Sequence, residues 1–392
     1  MSETIFVIGL ILFFTKFCGI MTRRIHLPQV VGALTAGIIL GPAVLGIAQP
    51  NETIDLIAEL GVIVLLFTAG MEMNFKDLKN LLRPSFIIAF FGILLSITGG
   101  FIAAAAIGRP ALECFFIGVI IASTSSSITI EALQEMGKLK TKSGGALLSA
   151  AVIDDILGII ILSVILGTFG GDAEFDLLQV GLVLLKIILF FAFAFACGFI
   201  MNKMLTFLRN RIGESRRIPI YALSFCFIMS YIAELFGLAD IAGAFIAGIV
   251  FSNTRYVDYL ERNTHILSYM FLSPIFFASI GINMAIEGFT AGTVLFTGLL
   301  LAAAILSKLI GCSLGAKVCK FSNDESFRIG AGMITRGEVS IIVASKGIAA
   351  GIMEPDLFSG IIIVVFITVL LAPSLLKLVY TDKFSNLVNK KS

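Results

Sequence analysis

The 392-residue sequence predicts an all-α polytopic membrane protein of thirteen transmembrane helices. The helices form two inverted six-helix repeats joined by a linker helix, and two of them are broken. Three observations predict this. The chain is 58% hydrophobic and only 14% charged, where soluble domains carry about 25% charged residues. Its Lys and Arg residues fall almost wholly on alternate loops. Similar segments recur at one constant offset.

A spanning helix needs about 20 mostly apolar residues. Such runs lie at 4–22, 28–48, 54–73, 85–108, 112–135, 144–169, 177–201, 218–236, 239–253, 265–283, 290–316, 325–350 and 357–380. The first ends at Arg23-Arg24, and the fourth follows the basic turn of Lys76, Lys79 and Arg83. The fifth contains IIASTSSSITI (120–130), the sixth AVIDDILGII, and the ninth is short. The eleventh carries one charge, Lys308, and the twelfth contains GMITRGEVSI (332–341). Little is left for a soluble domain. MSETIF has no basic n-region, so no cleaved signal peptide is expected. The six cysteines form no CxxC and read as reduced packing residues. No phosphate loop, zinc pattern or basic nucleic-acid patch occurs. The sequence therefore indicates no enzyme, no cofactor and no nucleic-acid partner.

Loop charge sets the orientation. With the N-terminus outside, 22 of the 28 Lys and Arg residues fall on inner loops and the C-terminal tail, and only Arg109 on an outer loop. Such a bias places the N-terminus outside and the C-terminus in the cytoplasm of a cell inner membrane. The acidic loop GGDAEFD (170–176) is then outside. Five basic residues lie more than three residues inside the segments: Lys16, Lys186, Lys308, Arg336 and Lys346.

LPQVVGALTAGIILGP (27–42) and LADIAGAFIAGIVFSN (238–253) agree at six of sixteen positions, at an offset of 211. The same offset pairs Leu56 with Leu267, Gly70 with Gly281, Met73 with Met284 and Thr124 with Thr335. It contains seven crossings, an odd number, so the second copy is inverted. Inverted repeats are characteristic of secondary transporters, with the ion site near the midplane. Asp154-Asp155 align with Val365-Phe366, so the carboxylate pair belongs to one half only.

That pair is the costly feature. Charge near a bilayer centre costs at least a few kcal/mol and marks ion or proton paths. Asp154 lies about 15 Å from the inner end of its segment and Lys308 about 12 Å from its own, at 1.5 Å per residue. Matching depths suggest an ion pair. A purely structural pair would account for one Asp, not two. Adjacent helix positions point about 100° apart, so one carboxylate can face Lys308 while the other faces a cavity. Burial and a like charge both raise a carboxylate pKa, which lets a proton and a hard cation such as Na⁺ or Li⁺ compete for the same oxygens.

Thr124, Ser125, Ser126 and Ser127 in the fifth segment, and Thr335, Arg336 and Glu338 in the twelfth, mark weak helices. Broken backbone at that depth is tolerated where it lines a polar cavity. Hydroxyls and loose carbonyls are cation ligands, and Arg336 and Glu338 would compensate half-helix ends. Lys16 snorkels, Lys186 has a packing or lipid role, and Lys346 is a partner for an outer carboxylate. Glu72, Glu234, His26 and His265 read as solvated positions near the membrane faces.

LPQVVGALTAGIILGP, LGVIVLLFTAGMEM, the central DD, GAFIAGIVF, the buried Lys and TRGEVSIIVA together resemble the monovalent cation:proton antiporter-2 family, most closely its NapA-type bacterial Na⁺/H⁺ branch. The resemblance covers the whole chain and implies a homodimer with an NhaA/NapA-like fold. The implied dimerisation domain comprises 1–75 and 217–286. The ion-transport core comprises 85–170 and 288–381, 176–205 is the linker helix, and 382–392 a cytoplasmic tail. It implies that the broken helices cross, that Asp155 carries the cation or protons, and that Asp154 pairs with Lys308 until the cation binds. It further implies elevator-like movement and electrogenic exchange. The end at residue 392 leads us to expect no nucleotide-gated regulation.

The resulting expectation is a Na⁺(Li⁺)/H⁺ antiporter whose partners are monovalent cations, protons and the bilayer, with Asp155 and Asp154 as the ligands of the transported Na⁺. The alternatives are K⁺/H⁺ exchange on the same scaffold and a Na⁺-coupled symporter. An intramembrane aspartyl protease would need carboxylates from different helices, and a passive channel needs no titratable pair.

Overall fold

The computed structural model describes residues 2–24, 27–73, 75–169, 177–212, 218–252, 254, 256–283 and 291–381. Nearly all of them are helical. In chain order the helices are α1 (Ser2–Arg24), α2 (Gln29–Leu40), α3 (Glu52–Glu72), α4 (Phe75–Ala105), α5 (Ala111–Ala122), α6 (Ser126–Glu135), α7 (Lys142–Phe169) and α8 (Leu177–Ile212). They continue with α9 (Ile218–Leu235), α10 (Asp240–Ser252), α11 (Val257–Leu267), α12 (Ser273–Ile282), α13 (Ala291–Val318), α14 (Asn323–Gly332), α15 (Glu338–Ala349) and α16 (Phe358–Val379). A π turn, Ser268–Leu272, makes α11 and α12 one continuous rod. Among the described residues, eight stretches are long and apolar enough to cross a bilayer, so the chain is a multi-pass membrane protein. The acidic loop 170–176, His26 and the tail 382–392 lie outside the described residues.

The second segment corrects the sequence reading. A helix was expected over 28–48, but α2 stops at Leu40. Gly41-Pro42 ends it, because proline lacks an N–H and pushes the preceding residue out of the helical region. The chain then turns through Gly46 at φ +63°, and Ala48 N–H returns to Leu40 O at 2.8 Å. At 12 and 13 residues, α2 and α10 are each only about 18–20 Å long, short of a bilayer core of about 30 Å.

Two glycine-lined contacts hold α2, α3, α10 and α12 together. A Cβ on Gly70 would lie 2.2 Å from Phe245 O, and one on Gly248 would lie 2.2 Å from Phe67 O, so α3 and α10 touch backbone to backbone. Gly37 and Gly281 do the same for α2 and α12, at 2.1 Å from Ala278 O and 2.5 Å from Leu34 O. Elsewhere α4 packs along α13, with Ser96 and Ser307 hydroxyls 3.1 Å apart.

Arg109 is tied down. It donates to Glu354 at 2.5 Å and to Asp356, with Glu113 at 3.8 Å, and so joins the turn before α5 to the turn after α15. Lys16 donates to Tyr269 Oη at 2.7 Å from an exposed position. Lys186 and Lys346 are also exposed. Lys346 was expected to meet a carboxylate; among the described residues it makes no ion pair.

Candidate functional site

α7 carries Asp154 and Asp155 in its middle turns, and α13 brings Lys308 to the same level. Lys308 Nζ donates to Asp154 Oδ1 at 2.6 Å, with both side chains at most 1% exposed. Removing one partner of such a buried pair strands the other charge. Gly92 of α4 leaves the room that Lys308 fills. A Cβ there would lie 2.5 Å from Cys312 Sγ and 3.6 Å from Lys308 Nζ.

Asp155 is half-buried. With Asp154 it lines a cavity of about 70 Å³ whose walls include Ile93, Val119, Ser123, Ala239 and Val339. A cavity needs only about 10–15 Å³ of such space to hold a water, so this one has room for water beside the two carboxylates.

Next to this cavity both long apolar rods are interrupted. α5 ends at Ala122 and α6 starts at Ser126; α14 ends at Gly332 and α15 starts at Glu338. The two breaks bond to each other. Ser125 N–H donates to Thr335 O at 2.9 Å. Thr129 Oγ1 donates to Gly332 O at 2.8 Å and lies 3.0 Å from Thr335 Oγ1. Gly337 is needed there, since a Cβ would lie 2.6 Å from that of Ser125. Ser125 and Ser127 hydroxyls are 3.3 Å apart, and Ser126 is buried with them. Among the described residues, Thr124 Oγ1 and Asp154 Oδ2 are buried with no hydrogen-bond partner.

Arg336 is wholly buried. Its guanidinium donates to Met333 O at 3.2 Å and to Ala304 O at 2.8 Å. The first is a carbonyl that the end of α14 leaves unpaired, where a cation suits the helix dipole. The second lies one turn before Lys308 on α13. In an α-helix Ala304 O also receives the Lys308 N–H, so Arg336 grips the backbone that carries the lysine. The Arg336 N–H donates to Thr368 Oγ1 at 3.2 Å. Glu338 is the first residue of α15; its side chain lies outside the described residues.

The structure thus gathers Asp154, Asp155 and Lys308, and beside them joins Ser125 to Thr335. Sequence reasoning missed Thr129, Thr368 and the Ala304 carbonyl. Thr129 was within reach, in the same Ser/Thr run; the other two lie in ordinary apolar helix. It also read Glu72 as a solvated position, whereas Glu72 is half-buried and accepts from Gln134 Nε2 at 2.9 Å.

Known proteins resemble the chain along nearly its full length. The chain is 36% identical over 381 residues to the Na⁺/H⁺-K⁺ antiporter GerN of Bacillus cereus, covering 97% of each. It is 36% identical over 384 residues to a Na⁺/H⁺ antiporter of Enterococcus hirae, covering 98% of this chain and all of that one. The solved sodium proton antiporter MjNhaP1 of Methanocaldococcus jannaschii superposes with a TM-score of 0.70 at 19% identity, over 99% of this chain and 98% of that one, a likeness of fold. The model of the family described as "Sodium/hydrogen exchanger, transmembrane" matches residues 9–381, and the chain belongs to that family.

Proposed function

We propose that the protein is a secondary active Na⁺(Li⁺)/H⁺ antiporter. The observation that carries this reading is the buried Lys308–Asp154 bond of 2.6 Å beside a cavity that Asp155 also lines. Asp155 exchanges protons for the cation. A cation arriving at the pair draws Asp154 away from Lys308, and Thr124 Oγ1 and Asp154 Oδ2 offer it lone pairs that no protein donor occupies. Full-length relatives named as Na⁺/H⁺ antiporters support the reading. GerN's name also includes K⁺, which keeps K⁺/H⁺ exchange as the second reading.

The architecture we propose has thirteen crossings, with the Lys- and Arg-rich face in the cytoplasm and the N-terminus outside. Its inverted repeat is supported by the helix register. Shifting α2 by 211 residues gives 240–251, against Asp240–Ser252 for α10, and shifting α5 gives 322–333, against Asn323–Gly332 for α14. The same shift turns the Gly37–Gly281 contact into the Gly248–Gly70 contact. We assign α1–α3 and α9–α12 to a dimerisation domain, α8 to a linker, and α4–α7 with α13–α16 to a core. That core moves as an elevator within a homodimer, and exchange is electrogenic.

The test is reconstitution in vesicles holding a pH-sensitive dye, with Na⁺, Li⁺ and K⁺ added in turn. Proton movement driven by Na⁺ or Li⁺ is expected. Movement driven by K⁺ alone selects the second reading, and none with any cation rejects antiport.

A further inference from the structure

We propose that Glu135, with Gln134 and Glu72, is a latch tying α6 to α2 and α3 on the basic face, and that it opens in each transport cycle. The inference rests on the core displacement proposed above and names the contact that displacement must break. α2 follows Pro28, which supplies no side-chain cap. The first N–H groups of a helix need outside acceptors. Glu135 Oε2, from the last residue of α6, accepts the Gln29 N–H at 2.6 Å. α2 is therefore capped by another helix, and a carboxylate suits the positive end of its dipole.

The neighbouring residue repeats the tie, since Gln134 Nε2 donates to Glu72 at the end of α3 at 2.9 Å. Just beyond, Lys140 Nζ lies 3.6 Å from Glu261 of α11. Three contacts thus leave the stretch 134–140 and land on three helices of the proposed stationary domain. All are polar and lie at a half-buried or exposed rim, where water can replace each partner as it leaves. Inside that domain, polar contacts such as Asn283 to Asp55 come in addition to backbones touching across glycines. The other end of α6 holds the crossover, through Ser125 and Thr129. Ten residues of helix, about 15 Å, link the two ends as one rigid piece.

The test starts from the full chain with its six cysteines replaced. One variant carries Gln29→Cys and Glu135→Cys; a control carries Asp55→Cys and Asn283→Cys, whose parent side chains bond at 2.9 Å between α3 and the end of α12, within one domain. Both are treated in vesicles with a short reducible thiol crosslinker. We expect the first pair to lose cation-driven proton movement when crosslinked and regain it on reduction, and the control to keep it throughout. Full activity of the first pair at complete crosslinking overturns the latch, as does equal loss in both. If the parent chain moves no protons with any cation, the antiport reading has failed, and a second arm judges the tie. There, Glu135→Ala should speed hydrogen exchange of the first amides of α2 about fivefold, as loss of one helix cap gives. Unchanged protection overturns it.

Discussion

Lys308 Nζ and Asp154 Oδ1 stand 2.6 Å apart with both side chains shut off from solvent. The pair joins α13 to α7 at the level of Asp155 and gives the first prediction. Lys308→Gln strands a buried carboxylate and should lower stability by about 3–5 kcal/mol, read as a lower Tm in detergent. Adding Asp154→Asn should restore most of the loss. In vesicles the single variant is expected to lose electrogenic exchange, and full electrogenic activity would contradict the switchable pair.

Asp155→Asn should abolish cation-driven proton movement in protein that still folds, since the amide keeps the size of the carboxylate. Its side chain is half-buried and lines the cavity, so the loss would be chemical. Measuring dye response and Tm on the same preparation separates the two.

Arg336→Met keeps the bulk of the side chain and removes the donors to Met333 O and Ala304 O. Charged hydrogen bonds contribute about 1.5–3 kcal/mol each. A Tm drop comparable to that of Lys308→Gln is expected. Thr368→Val, which loses the acceptor of the Arg336 N–H, should cost about 1–3 kcal/mol.

Gly92→Ala should disturb transport through Lys308. The new methyl meets Cys312 Sγ at 2.5 Å, so Gly92→Ala/Cys312→Ala should fold better than Gly92→Ala alone. A changed apparent cation affinity that persists in the double variant would trace to the 3.6 Å approach to Lys308 Nζ. Gly9→Ala, with nothing within 4 Å, is the neutral control.

How much of this was legible in the sequence follows from what each feature costs. Asp154, Asp155 and Lys308 were legible because a charge inside an apolar run is expensive and needs a partner. The Ser/Thr run at 123–127 and TRGE at 335–338 were legible because both weaken a helix. The end of α2 at Leu40 was not, because the residues beyond Gly41-Pro42 remain apolar and hydropathy alone does not see a turn. Thr368 was hidden for a related reason, since a single threonine in an apolar helix ordinarily bonds its own backbone, as it also does here to Val365 O at 2.8 Å. Glu135 was hidden because its partner is a main-chain N–H, which carries no sequence signature.

The glycine contacts of α3 with α10 and of α2 with α12 bear on where motion can occur. Backbones already in contact leave no slack for sliding, and side chains there cannot yield, because there are none. Gly70→Val or Gly248→Val should therefore unseat the whole group of helices, well beyond the usual overpacking loss of about 1–3 kcal/mol. We propose that those helices form a stator. On that proposal, a displacement carrying Asp155 takes place at the stator's border, where the ties from Gln134, Glu135 and Lys140 are polar and water can replace them.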